Sequence, residues 1–277
     1  MTSINTNVGA MTAMSALRAT DTRINTTSKQ LETGFKVADS FDDASVFAVA
    51  QGIRSNFKAH VAVQSSLQQG LGLIDVSLAA LNGLMQLSEN LRATLIKASD
   101  GSLLATQRDI YKSDALALYE QITDIINQGS YNGRNQLLAS STTVQFVADV
   151  AGRTVTVPTY SIEPAYANLG TGINAITDST TATAAYGLID PLTTTASASI
   201  AEFATTRRQI TLQMSFNDSV MDAMKIGLGA LVDSDISGND ALLASLAVQK
   251  QLTVSALSIS NNRQATLVAL YANPEAS

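Results

Sequence analysis

The chain has 277 residues, 45% of them hydrophobic and only 14% charged, with a net charge of −6 and its 17 basic residues scattered. That balance argues against a nucleic-acid binder, which needs a clustered basic face. The lack of cysteine and the single histidine exclude disulfides, a thiol nucleophile and any multi-histidine metal or catalytic site.

No run of eighteen consecutive apolar residues is present, so no membrane span is expected. The opening MTSINTNVGAMTAMSALRA lacks a basic segment followed by an apolar core. A cleaved secretory signal is therefore not expected. So few charges fit either burial against copies of the same chain or a neutral surface rich in Ser and Thr.

Residues 1–34 read as a first helix with a thin apolar stripe: Ile4, Val8, Met11, Leu17, Ile24 and Leu31. Such a helix is marginal alone, because packing supplies most helical stability. Gly34 is a natural stop. In the connector that follows, Ser40 and Asp43 have capping-box spacing, and Asp42 and Asp43 suit a helix N-terminus.

A long helix is expected from Phe41 to about Lys97. Its seam is Ile53, Phe57, His60, Gln64, Leu67, Leu71, Ile74, Leu78, Leu81 and Met85, eight of them apolar, at heptad-like steps. SDGS at 99–102 marks a turn, with Ser102 a candidate cap. A third helix over 103–128 carries Leu104, Tyr111, Ala115, Leu118, Ile122 and Ile125. Asn132-Gly133 then signals a turn.

The character changes over 139–199, which holds five charged residues and three of the four prolines. Val144, Phe146, Ala148 and Val150 alternate, as do Val155 and Val157, and the AGR at 151–153 between them reads as a hairpin loop. The Thr/Ser/Ala tracts around the hairpin read as less regular linker. Helix is expected again near Ala198, with Ile200, Phe203, Ile210, Met214, Met221, Met224, Leu228 and Leu231 on its stripe. DSDISGND at 233–240 breaks it. A last helix, about 241–271, carries Leu243, Leu246, Leu252, Val254, Leu257, Ile259, Leu267 and Leu270. The fold class is mainly α. The N- and C-terminal segments form a long antiparallel helical bundle or coiled coil, with a small β-containing central insertion.

No constellation of catalytic, cofactor or metal-binding residues survives inspection, so an enzyme is not expected. His60 sits on a helix seam. Asp42-Asp43 suits a cap better than a carboxylate pair. Gly70-Leu-Gly72 lies inside a heptad pattern and follows no strand, so it is not a nucleotide loop. Asp233, Asp235 and Asp240 lack EF-hand spacing.

The motifs resemble bacterial flagellin. INTN at 4–7 is similar to the way that family begins, and LETGFKVADSFDDASVFAVA (31–50) to its "DDAAGLAIA" stretch through Leu31, Gly34, Asp42, Asp43, Ala44, Ala48 and Ala50. QGSYNGRNQLL (128–138) and LVDSDISGNDALLASLAVQKQLTVSALSISNN (231–262) resemble its later signatures. Departures are Lys36-Val37-Ala38 for Arg-Ile-Asn, and Gly238-Asn239 where the family carries an acidic pair.

The resemblance implies a structural subunit of the flagellar filament, outside the cell, polymerising with itself and with sister flagellins. It implies type III export with a chaperone, and cap and junction proteins at the filament's ends. It divides the chain into an inner-core coiled coil (1–40 with 236–277), an outer-core rod (41–138 with 200–235) and a surface insertion (139–199). It implies inner-core assembly through Ile4, Val8, Met11, Leu17, Ile24, Leu31, Leu252, Leu257, Ile259, Leu267 and Leu270, and an outer-core seam as named above. Glu89, Asn90 and Arg92 fall where the family's innate-immune-receptor segment lies. Asn90 replaces its first Arg, so weak receptor binding is expected. A hook–filament junction protein, or a surface homologue binding polysaccharide through 139–199, are the competing readings.

Overall fold

In a computed structural model, residues 6–272 are described. They form α1 (Val8–Thr33), α2 (Ala44–Ala98), α3 (Ala105–Gln128), β1 (Val144–Val147), β2 (Thr154–Val157), α4 (Glu163–Asn174), α5 (Ser179–Gly187), α6 (Ile189–Val232) and α7 (Ile236–Ala272). The chain falls into two compact units: Met1–Ser55 with Ala223–Ser277, and Asn56–Asp222.

The helix ends are built from short-range chemistry. Asn7 caps α1, its Oδ1 accepting from the Ala10 amide at 2.9 Å. Gly34 ends α1 at φ +72°, a left-handed conformation that costs glycine little. Asp43 alone caps α2, its carboxylate accepting from the amides of Ser45 and Val46. Asp42 instead folds back on the connector and accepts from the amides of Ala38 and Asp39. The expected box between Ser40 and Asp43 is therefore not formed. Nor does Ser102 cap α3. The Gln107 side chain does, taking the Leu104 amide at 3.0 Å, while Ser102 donates its amide to Asp100. Asn132 and Gly133 both take positive φ, and Tyr131 and Arg134 bond to each other across them, which is a type I′ hairpin turn.

The larger unit has one core. A row of buried positions on α2, Val63, Leu67, Gly70, Ile74, Ser77, Leu81, Leu84, Ser88, Leu91, Leu95 and Ala98, steps by four and three, with Leu73 and Ala80 buried beside it. Those of α6 are Ile189, Leu192, Ala196, Ser199, Phe203, Thr206, Ile210 and Asn217, in the same rhythm. Helix therefore returns at Ile189, ahead of the expected Ala198. The Thr/Ser tracts do not break it, because their hydroxyls bond back to carbonyls four residues earlier, as Thr195 does to Pro191 and Ser199 to Thr195.

The segment expected as linker around the hairpin also folds. Asp178 and Thr181 cap α5 reciprocally. Ile162, Leu169, Ile173, Ile176, Ala182 and Ala185 are buried in the same core. β1 and β2 pair antiparallel, Val144 opposite Val157. The hairpin is held to the helices by hydrogen bonds: the Val147 amide donates to Ser66 Oγ, and Gln213 to the Ala148 carbonyl.

Glycines decide how close the aromatic rings come. A Cβ on Gly70 would lie 2.9 Å from the Phe146 ring, and one on Gly72 would lie 3.0 Å from the Tyr131 ring. The Gly-Leu-Gly of α2 is thus a pair of seats for two rings.

Candidate assembly surfaces

In the smaller unit, α1 packs antiparallel on α7. A heptad row of protected positions on α1 is Ala10, Ala13, Leu17, Thr20, Ile24, Thr27 and Leu31, with Asp21, Ser28, Lys29 and Gln30 half-buried beside it, and that of α7 is Asn239, Leu243, Leu246, Thr253, Leu257 and Ser260. Each set repeats at heptad spacing, and about half of the members are small or polar. The seam is therefore narrow, and hydrogen bonds fix it. Asn7 donates to the Ser260 carbonyl at 3.1 Å and accepts from Ser260 Oγ at 2.9 Å. Asn239 donates to Gln30, and Lys250 pairs with Asp21 at 2.9 Å. Gly9 belongs to this clasp, since a Cβ there would lie 2.6 Å from Ser260 Oγ.

Of the side chains expected to make the inner core, Leu17, Ile24, Leu31 and Leu257 line this seam. Val8, Met11, Leu252 and Ile259 do not. They are 64–69% exposed, on the outer faces of the pair. Ile4 and the side chains of Leu267 and Leu270 lie outside the described residues. Val248 and Leu242 are exposed as well. A shallow groove of about 590 Å³ runs between Gly9, Thr12 and Ala16 of α1 and Leu252 and Ala256 of α7. α7 is apolar enough that Ile236–Arg263 has the length and composition of a membrane-crossing helix, yet only 6% of its most apolar eighteen-residue window is buried.

The two connectors of this unit are stitched together. Lys36 donates its amide to the Val232 carbonyl at 2.7 Å, and Ser234 donates to the Gly34 carbonyl at 3.0 Å. Val37, Ala50 and Val232 form a small buried cluster, with Phe47 and Leu228 against it. Lys29 Nζ lies 2.7 Å from both Asp39 and Asp42. Hydrogen bonding to Lys29 holds both carboxyls below their usual range and pushes the ammonium up.

In the larger unit, Leu67, Ile74, Leu81, Ile122 and Ile210 are buried in the core, and Leu71, Leu78, Leu118, Ile125 and Met214 pack against it. Phe57 and Met221, and in the smaller unit Ile53, Met224 and Leu228, are half-buried. Within the receptor-like segment, Ser88 and Leu91 are buried, whereas Glu89 and Asn90 are exposed. Arg92 is occupied internally. It lies over the Tyr186 ring at 5.5 Å and bonds Asp190 at 2.6 Å.

Sequence reasoning missed two cations that finish helices. Arg108 donates to the Ala98 and Asp100 carbonyls at the end of α2, and Lys112 to the Asn174 and Ile176 carbonyls after α4. Nothing local marks them, because their targets lie eight or more residues away. A polar cavity of about 460 Å³ lies between 132 and 142. Its Asn135 and Gln136 are spent on internal bonds to Ile126, Leu137 and Thr159. Among the described residues no cluster of three metal-ligating side chains occurs.

Residues 4–143 match the family model of the bacterial flagellin N-terminal helical region. The chain belongs to the bacterial flagellin family. Among its relatives, Flagellin FljK of Caulobacter vibrioides is 32% identical over 98% of this chain and 99% of its own. The flagellin of Brucella melitensis is 29% identical over the same shares. The crystal structure of Bacillus cereus flagellin is 19% identical, with a TM-score of 0.35, over 65% of this chain and 94% of that one. This flagellin is a structural subunit that polymerises into the extracellular flagellar filament.

Proposed function

We propose that the large apolar side chains outside the α1–α7 pair are what this flagellin buries when it polymerises. The carrying observation is where the bulk of that pair lies: about half of its seam is Ala, Thr, Ser and Asn, while Val8, Met11, Val248, Leu252 and Ile259 stand outside. Exposed apolar area of this kind marks an interaction surface. Each such side chain, once covered, is worth roughly 1.5–3 kcal/mol. Leu212 and Phe216 on α6, 70% and 63% exposed, extend the same reading to the larger unit. The division 1–40 with 236–277, 41–138 with 200–235 and 139–199 is proposed for the assembled subunit. The inner part would then end near the stitched connectors.

The test is charge placed on the outer face. L252E and I259E together leave the seam residues in place. We expect the helical circular dichroism to be retained and filament yield, by sedimentation and electron microscopy, to fall at least tenfold. Filaments at parental yield would refute the reading. Removing residues 1–34 is expected to abolish polymerisation while the rest stays helical.

The same proposal includes a non-enzymatic role in swimming motility and export without a cleaved signal, by a type III route with a chaperone. Cap and junction proteins would meet the chain at the filament's ends. Weak engagement of an innate immune receptor is part of it, supported by Asn90 and by the internal bonds of Arg92.

A further inference from the structure

Where the core of the larger unit ends, three polar side chains stand on the seam of α2 and α6. Asn217 is 3% exposed. Its Nδ2 donates to the His60 carbonyl and to Gln64 Oε1, both at 3.0 Å, and its Oδ1 lies 2.5 Å from His60 Nδ1. Beyond this point the unit has no buried side chain: 56–62 of α2 and 218–222 of α6 are half-buried or exposed.

The network has one chemically consistent assignment. A backbone carbonyl only accepts, so the Asn217 atom facing the His60 carbonyl must be the amide nitrogen. The atom facing Nδ1 is then the oxygen, which also only accepts. A neutral His60 must therefore carry its proton on Nδ1. Gln64 contributes its oxygen for the same reason.

We infer that His60, Gln64 and Asn217 form a register lock, with a Nδ1–H imidazole as its central donor, that pins α2 to α6 where apolar burial runs out. Heptad seams are nearly degenerate to a slide of seven residues, about 10 Å. A slide either way puts Asn217 level with Ile53 and Phe57 or with Leu67 and Leu71, whose apolar side chains replace both of its side-chain partners. A single polar residue at a core position specifies register in this way in coiled coils. These are positioning residues. They add no apolar burial, and their role is to exclude neighbouring alignments.

Two measurements on the full chain test this. The first is ring ¹⁵N NMR of the parent with His60 neutral. Nδ1 is expected to give the protonated (pyrrole-type) shift, and Nε2 the lone-pair (pyridine-type) shift. The reverse tautomer overturns the lock. The second uses the cysteine-free background, with spin labels at Lys58 and Ser219 beyond the trio and at Gln69 and Arg208 within the core. In the parent both pairs should give single, narrow distances. In N217L, which keeps apolar volume, the 58–219 distribution should at least double in width or split, while 69–208 stays narrow. A 58–219 distribution in N217L as narrow as the parent's means burial alone sets the alignment and overturns the inference.

Discussion

At Asp42 a single carboxylate ties α1 to the connector that follows it, through Lys29 and the amides of Ala38 and Asp39. Its pKa is lowered by these bonds, Lys29 foremost. A lowered carboxylate contributes stability above its unfolded value and loses it as pH falls through the folded one. We expect hydrogen-exchange protection of 36–42 to hold at neutral pH and fall in the acid range, below about pH 4. D42N should lower protection at neutral pH and remove this site's share of the acid response. An unchanged acid profile in D42N would show that the carboxylate is idle. Gly70 makes the opposite case. Alanine is favoured in a helix by about 1 kcal/mol. Here, however, its Cβ meets the near side of the Phe146 ring and Ile210. G70A should therefore be net destabilising, by about 1–2 kcal/mol in urea unfolding, as an overpacked contact.

Elements were read from the sequence with uneven success, for a physical reason. Helix existence was legible wherever large apolar residues carried the period, as in Leu67, Ile74 and Leu81. The phase was only half legible. The buried row of α2 includes Gly70, Ser77 and Ser88, and that of α6 includes Ala196, Ser199 and Thr206. Small and hydroxylated residues hide a seam from any reading based on hydrophobicity. The start of α6 is hidden for that reason, α5 reads as linker because it lies in a Thr/Ser/Ala tract, and α4 falls in the less regular flanks of the hairpin. The hairpin was legible because alternation and a turn glycine coincide there. Phe203 joins these elements: it is fully buried on α6 and meets the Tyr160 ring edge-on at 5.4 Å. F203A should cost about 3–5 kcal/mol in the unfolding free energy of the larger unit. A loss under 1 kcal/mol would mean the site collapses around the gap.

For the whole molecule, the family and its filament role were legible from motifs. The faces that assemble were not. Val8, Met11, Leu252 and Ile259 lie on the same stripes that predict burial, and only the fold shows that α1 and α7 leave them outside. One stripe can serve an internal seam or a neighbour, and periodicity does not distinguish them. The receptor reading changes at this scale as well. Arg92 is held by Asp190 and Tyr186, so binding through it would first have to break a charge-assisted hydrogen bond. Purified monomer should give a weak response in a receptor-reporter cell line, and full potency would sink that expectation.

The clasp between α1 and α7 has a consequence for lifetimes. Ala10, Ala13, Thr20 and Thr27 stand at positions where a durable coiled coil carries Leu or Ile, so opening the pair disengages fewer bulky groups than such a seam would, chiefly Leu17, Ile24 and Leu31 of α1 and Leu243, Leu246 and Leu257 of α7. Local openings of such weakly packed segments lie at the low end of a protein's stability range. The free subunit's ends should then exchange their amide protons quickly. The same amides should become slow once the outer Leu and Ile side chains are covered. Time spent open, more than shape, would separate a travelling subunit from an installed one.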